Sequence, residues 1–183
     1  MRNTFDRFNG RHQDYQAARP SYAQEFLDWL GELYAPPERY TAADIGSGTG
    51  KLSAQLLAAG FRVCGVEPNP DMRGVAEALL GGDPRFSSSN GTDHDTGLPD
   101  RSVDMVAAAQ AFHWFDGPAF ARECRRILRP GGRAVLVWNV RGSAPMNQAL
   151  AQVFREHCPS FHGFTGGMGE DDPRIRDFFR RGV

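Results

Sequence analysis

The sequence lacks any apolar run long enough to cross a bilayer, which excludes a helical membrane span within its 183 residues. It also lacks an excess of charge. Its 21 lysines and arginines face 22 aspartates and glutamates, so neither a nucleic-acid surface nor an acidic tail is expected. The opening residues, MRNTFDRFNGRHQDYQ, have no apolar core of the kind a secretory signal needs, and a cytoplasmic protein is expected. Cysteine is scarce. Cys64, Cys124 and Cys158 are far apart, odd in number and without metal-ligand spacing, which reads as reduced thiols rather than a disulfide framework. HCPSFH, from His157 to His162, has no second ligand cluster, so no metal is expected. No repeat, low-complexity tract or linker divides the chain, whose length suits one domain over residues 1–183.

What is present is an alternation of short apolar runs with helix-length amphipathic segments. RPSYAQEFLDWLGELY predicts a first helix, with Ser21 and Gln24 as a capping box and Phe26, Leu30 and Leu33 on one face. YTAADI is a strand, KLSAQLLAAG a helix closed by Gly60, FRVCGVE a strand and PDMRGVAEALL a helix. RFSSS is a third strand, SVDMVAAAQ a fourth, PAFARECRRIL a helix, RPGG a turn and RAVLVWNV a fifth strand. A helix near Met146 to His157 follows, then glycine-rich loop and a short helix in RIRDFFRRGV. Repeated βαβ units with right-handed crossovers predict an α/β fold: a doubly wound, Rossmann-like parallel sheet, order 3-2-1-4-5, with helices on both faces.

AADIGSGTGKLS, at the end of the first strand, admits three readings. A phosphate loop needs G-x-x-x-x-G-K-[ST], but Ile45 stands at its first glycine and Leu52 at its hydroxyl. A dinucleotide loop needs G-x-G-x-x-G. Here Gly46, Gly48 and Gly50 are spaced G-x-G-x-G, and Lys51 takes the third site. The third reading includes Asp44. A carboxylate beside a helix N-terminus repels a pyrophosphate and favours a ligand that carries an ammonium or another cation. S-adenosylmethionine has an amino group, a sulfonium and no phosphate. Glu67, closing the second strand about twenty residues past the first glycine, stands where such folds place a ribose-binding acid.

The chain resembles class I S-adenosylmethionine-dependent methyltransferases, and within them the small-molecule branch that includes trans-aconitate methyltransferases. DIGSGTG, VEPNPDM, LPDRSVDMVAAAQAFHWFD and RILRPGG carry the likeness in the expected order, and FNGRHQDYQAARPSY extends it to about residues 5–170. The resemblance implies that Asp44, Gly46, Ser47 and Gly48 surround the methionine end of the cofactor. Glu67 would hold the ribose, with Pro68 and Met72 near the adenine and Thr92 and Asp93 at the adenine edge. Gln110 would face the methionine and sulfonium. The segment 1–20, with Tyr15 and Arg19, would fold over the cofactor as a lid.

The implied activity is in-line transfer of a methyl group to an oxygen, nitrogen or carbon of a small molecule, which needs alignment more than a fixed catalytic triad. FHWF, residues 112–115, is the suggestive cluster near the methyl group: His113 as a base, or as pocket packing, and Trp114 against the cofactor's charge. Two alternatives stand beside this reading, a truncated cofactor-binding core with little activity and an NAD-dependent oxidoreductase. The family's C-terminal antiparallel hairpin is not legible after Val140, so truncation after residue 183 is expected. RAVLVWNV would then be an apolar sheet edge on which two chains pair.

Overall fold

A computed structural model describes residues 21–139, 145–158 and 172–182. Tyr15, Arg19 and His162 lie outside the described residues. Among the described residues, α1 (Gln24–Leu33) precedes β1 (Thr41–Ile45), α2 (Lys51–Ala58), β2 (Arg62–Val66), α3 (Pro70–Leu80) and β3 (Phe86–Ser89). Then come β4 (Val103–Ala109), α4 (Gly117–Ile127), β5 (Leu128–Val137), α5 (Pro145–His157) and α6 (Pro173–Arg180). The five strands form one parallel sheet in the order β3-β2-β1-β4-β5, as the alternation predicts.

The inner strands are apolar because both of their faces are covered. Ala43, Ile45, Cys64, Val66, Val106 and Ala108 point to one side, where Phe112, Phe120, Cys124 and Ile127 pack on them. The alternate residues Ala42, Val63, Met105 and Ala107 point to the other, against Leu30, Leu52, Leu56 and Phe61. β3, with three serines, is an edge strand and is largely exposed. No described strand bonds the outer edge of β5. Val135, Leu136 and Val137 are half-buried rather than covered on both faces, and they border an apolar groove shared with Phe26 and Trp29.

Two local expectations are corrected. The Ser21–Gln24 capping box does not form: the N-cap of α1 is Ala23, with no side-chain cap, and Gln24 bonds Asp28 instead. The backbone there is held from another helix, Gln55 accepting from the Tyr22 amide at 3.0 Å and donating to its carbonyl at 3.1 Å. RPGG is not a free turn. Leu128 already pairs with Val103, and Arg133 with Met105, so the residues between them bulge out of the ladder. Arg129 reaches from that bulge to the Asp104 carboxylate at 2.6 Å.

α6 docks on α4 through Phe178, which is buried, stacks on Phe120 with ring centroids 5.2 Å apart and meets Phe112 edge-on at 5.2 Å. Phe178→Ala is expected to cost about 3–5 kcal/mol of stability in urea unfolding, as for other buried aromatics. A loss below about 1 kcal/mol would show that α6 contributes little to this face.

Candidate functional site

The strand order reverses beside β1: its connection leads through α2 to β2 on one side, while β4 borders it on the other. Loops from β1 and β4 therefore diverge and leave a crevice at the C-terminal ends of the strands, where open α/β sheets hold ligands. A cavity opens there, lined by Gly46, Gly48, Glu67, Asn69, Asp93 and Trp114 among others. Pro68, Met72, Thr92 and Gln110 complete its wall with Ala109, Ala111 and Phe115. A narrower hollow adjoins it, bordered by Asp44, Ser47, Thr49, Lys51 and Tyr22.

The glycine loop turns through left-handed conformations, with φ of 69° at Gly46, 56° at Gly48 and 80° at Gly50. A Cβ on Gly46 would lie 2.8 Å from that of Ala111, and one on Gly50 would lie 2.9 Å from Leu80 and 3.0 Å from Ala76. Gly50 thus lets α2 start against α3, while Gly46 lets the loop lie against the segment after β4. The amides of Gly46 and Ser47 donate to the Val66 carbonyl, and that of Gly50 donates to Ser47. These amides hold the loop shut. Gly46 and Gly50 serve close approach, while the Gly48 amide is left to donate to the Glu67 carboxylate.

Asp44 is buried and accepts a 2.7 Å hydrogen bond from Ser53 Oγ. Burial pushes its carboxyl up to about 6; the Ser53 bonds act against this and the nearby Glu67 charge adds to it. Glu67 is also buried, with Oε2 accepting from the Gly48 amide at 2.9 Å and Oε1 from the Asn69 amide at 2.9 Å. Burial raises its pKa, while the two amides and the Arg73 charge oppose the rise. Each oxygen accepts one of these bonds and has capacity to accept another, and Glu67 lines the cavity.

Asn69 caps α3, its Oδ1 accepting from the amides of Asp71 and Met72 at 3.0 Å each, so Met72 is fixed toward the cavity. Beyond β3, Thr92 Oγ1 accepts from the Asp95 amide, and Asp93 Oδ2 accepts from the Asp116 amide at 3.1 Å. Deeper in that loop, Thr96 donates twice to the buried carboxylate of Glu123, which Arg126 also holds. Gln110 lines the cavity with a positive φ of 55°, unusual for a residue with a side chain, and its Nε2 donates to the Asn139 carbonyl at 3.3 Å.

His113 is not part of the cavity lining. It lies in the 3₁₀ turn Phe112–Trp114 and packs its ring on Trp114 with centroids 4.7 Å apart. Asn69, Tyr22 and Ser53 join the site without having been singled out in the sequence, and Phe115, the last residue of FHWF, lines the cavity. The Asn-Pro pair before α3 was the one available signal, since it marks an N-cap followed by a proline at the first helical position. No group of three or more His, Cys, Asp or Glu side chains among the described residues could hold a metal.

Residues 43–136 match the model of a methyltransferase domain family. The chain belongs to that family. It is 43% identical over 127 residues to an uncharacterized methyltransferase of Mycobacterium tuberculosis, covering 69% of this chain and 49% of the relative. It is 32% identical over 147 residues to one of Schizosaccharomyces pombe, covering 79% and 57%. The chain thus spans about half the length of the curated relatives it matches. A solved structure from Anaeromyxobacter dehalogenans, described as a type II methyltransferase, superposes with a TM-score of 0.61 at 37% identity, covering 79% of this chain and 57% of that one. An S-adenosylmethionine-dependent methyltransferase from Aquifex aeolicus shares the fold, with a TM-score of 0.55 at 18% identity and coverage of 72% and 78%. Membership of the methyltransferase family implies S-adenosylmethionine as the methyl donor. No helix among the described residues of this methyltransferase domain is long and apolar enough to cross a membrane.

The state of Asp44 gives the domain a pH dependence. Its folded pKa lies above the ordinary 3.8, so the folded protein holds the proton more tightly than the unfolded chain does. The contribution of Asp44 to stability therefore falls as pH rises from about 4 to about 6, and stays low above that. Asp44→Asn keeps the shape and an acceptor for Ser53. Relative to wild type, the unliganded variant is expected to gain on the order of 3 kcal/mol between pH 4 and pH 7 in denaturant titrations. An equal gap at both pH values would contradict the raised pKa of Asp44.

Proposed function

We propose that this chain carries the cofactor site of an S-adenosylmethionine-dependent methyltransferase that methylates a small molecule at an oxygen, nitrogen or carbon nucleophile. The observation that most supports this reading is the meeting of Glu67, the glycine loop and a cavity lined by two carboxylates and no lysine or arginine. A phosphate-bearing ligand would meet Glu67 and Asp93 with nothing in that lining to offset its charge. A ribose carrying two hydroxyls, and a cationic amino group, suit it.

The residues fit the cofactor in three places. Glu67 would accept hydrogen bonds from the ribose hydroxyls, with Pro68, Met72, Thr92 and Asp93 around the base. Asp44 would face the ammonium from the narrow hollow, where Gly46, Ser47 and Gly48 leave room for the methionine chain. Gln110 and Trp114 border the cavity on the β4 side, where the sulfonium would lie. Bound there, S-adenosylmethionine supplies a methyl group already activated by a positive sulfur.

The protein's part is then orientation and the exclusion of water. Trp114 is 45% exposed at the mouth of the cavity and stands where an acceptor would enter. His113 packs on the Trp114 ring, which supports a role in shaping the pocket. An anionic acceptor needs no base. Phe115 forms the wall between the cavity and the helix α4.

Calorimetry with the demethylated product, S-adenosylhomocysteine, tests the reading. It is expected to bind in clear preference to NAD and ATP, and Glu67→Ala is expected to lose about 1–3 kcal/mol of that affinity. Equal affinity in wild type and variant would remove Glu67 from the ribose site. NAD binding as tight as S-adenosylhomocysteine would favour the oxidoreductase reading.

A further inference from the structure

Arg73 stands in the first turn of α3, near the N-terminal end of the helix, where the macrodipole disfavours a cation. Local helix stability therefore does not explain an arginine there, and its contacts do. Nη1 donates to the Glu67 carbonyl at 2.8 Å, to the Pro68 carbonyl at 3.3 Å and to Asn90 Oδ1 at 3.0 Å. Nε lies 3.6 Å from the Glu77 carboxylate. The side chain is mostly buried, yet Arg73 does not line the cavity.

The acceptors belong to two different loops. The carbonyls of Glu67 and Pro68 set the backbone from which the Glu67 side chain springs, at the end of β2. Asn90 opens the loop after β3, two residues before Thr92 and three before Asp93. The β2–β3 ladder ends at Val66 and Ser89, with one more backbone bond from the Glu67 amide to the Ser89 carbonyl at 3.1 Å. The Arg73 guanidinium carries the tie further out, to Pro68 and Asn90. It also sits close enough to Glu67 for its charge to favour the ionised carboxylate.

We infer that Arg73 is a positioning residue for the adenosine half of the cofactor: it ties the loop that carries Glu67 to the loop that carries Thr92 and Asp93, so that ribose and adenine contacts are set together. This inference rests on the methyltransferase reading of the cavity. Through Asp93, which holds the Asp116 amide, the tie extends to the segment after β4. Through Glu67, which holds the Gly48 amide, it extends to the glycine loop. Arg73 thus reinforces, beyond the Glu67–Ser89 backbone bond, the connection between two pairs of loops that are each already joined.

A double-mutant cycle tests it, with S-adenosylhomocysteine as the probe and dissociation constants measured on folded protein. Arg73→Met is expected to weaken binding on the order of tenfold, as for loss of hydrogen bonds from a charged donor. Asn90→Ala, at an exposed loop position, is expected to weaken it about threefold with little change in melting temperature. The double variant should bind no more weakly than Arg73→Met, because both changes cut the same tie. A purely structural arginine would lower the melting temperature and leave the dissociation constant of the folded protein unchanged. Unchanged affinity in Arg73→Met, or losses that multiply in the double variant, would overturn the inference. Should Arg73→Met fail to fold, Asn90→Ala decides alone: unchanged affinity there overturns it. Failure of folded wild type to bind the probe would instead overturn the methyltransferase reading.

Discussion

Glu67 places a buried carboxylate in the wall of a crevice, and much of the arrangement around that crevice follows from holding it there. Burial acts against the ionised form, and the protein answers with two backbone amides, from Gly48 and Asn69, and with the nearby Arg73. Each compensating group comes from a different local structure: the glycine loop, the N-cap of α3 and its first turn. Stabilising one carboxylate therefore fixes the glycine loop against the start of α3. The same oxygens keep the lone pairs that a ribose can use, so the bonds that build the site are also the bonds that prepare it.

The neighbouring carboxylate is handled differently. Asp44 has the Ser53 hydroxyl against a larger cost of burial, and its pKa rises to about 6. Glu67 takes two backbone amides, whereas the bonds to Asp44 come from Ser53. On the proposed reading, two acids at successive strand ends would divide the ligand: a neutral, hydroxyl-bearing part at one and a positive group at the other. Pre-formed polar walls of this kind lower the cost of ordering a flexible ligand.

The fold was largely legible because parallel strands covered on both faces leave continuous apolar runs, and α3 runs from Pro70 to Leu80 as its sequence predicts. The Asp44–Gly46–Gly48–Glu67 part of the site was legible for a related reason: those residues sit at strand ends, where spacing alone locates them. Gln110 was named, but its left-handed backbone was not foreseen, since nothing local requires it. The capping box failed because Gln55, more than thirty residues on, occupies the Tyr22 backbone. Arg73 was invisible for the same kind of reason. Two of its partners are carbonyls, which any sequence supplies, and the third comes from another loop. His113 looked like a base because histidine titrates near neutrality, yet its ring faces Trp114 and the cavity is lined without it.

The central claim is that the Glu67 carboxylate binds the ribose of an adenosyl ligand. The most direct test compares S-adenosylhomocysteine with its 2′-deoxy analogue on wild type and on Glu67→Gln, which keeps the shape and removes the charge. The account predicts that loss of the 2′-hydroxyl weakens binding to wild type by on the order of tenfold and costs the variant much less, because the charged partner is already gone. Equal losses in both proteins would contradict it and would place the ribose away from Glu67.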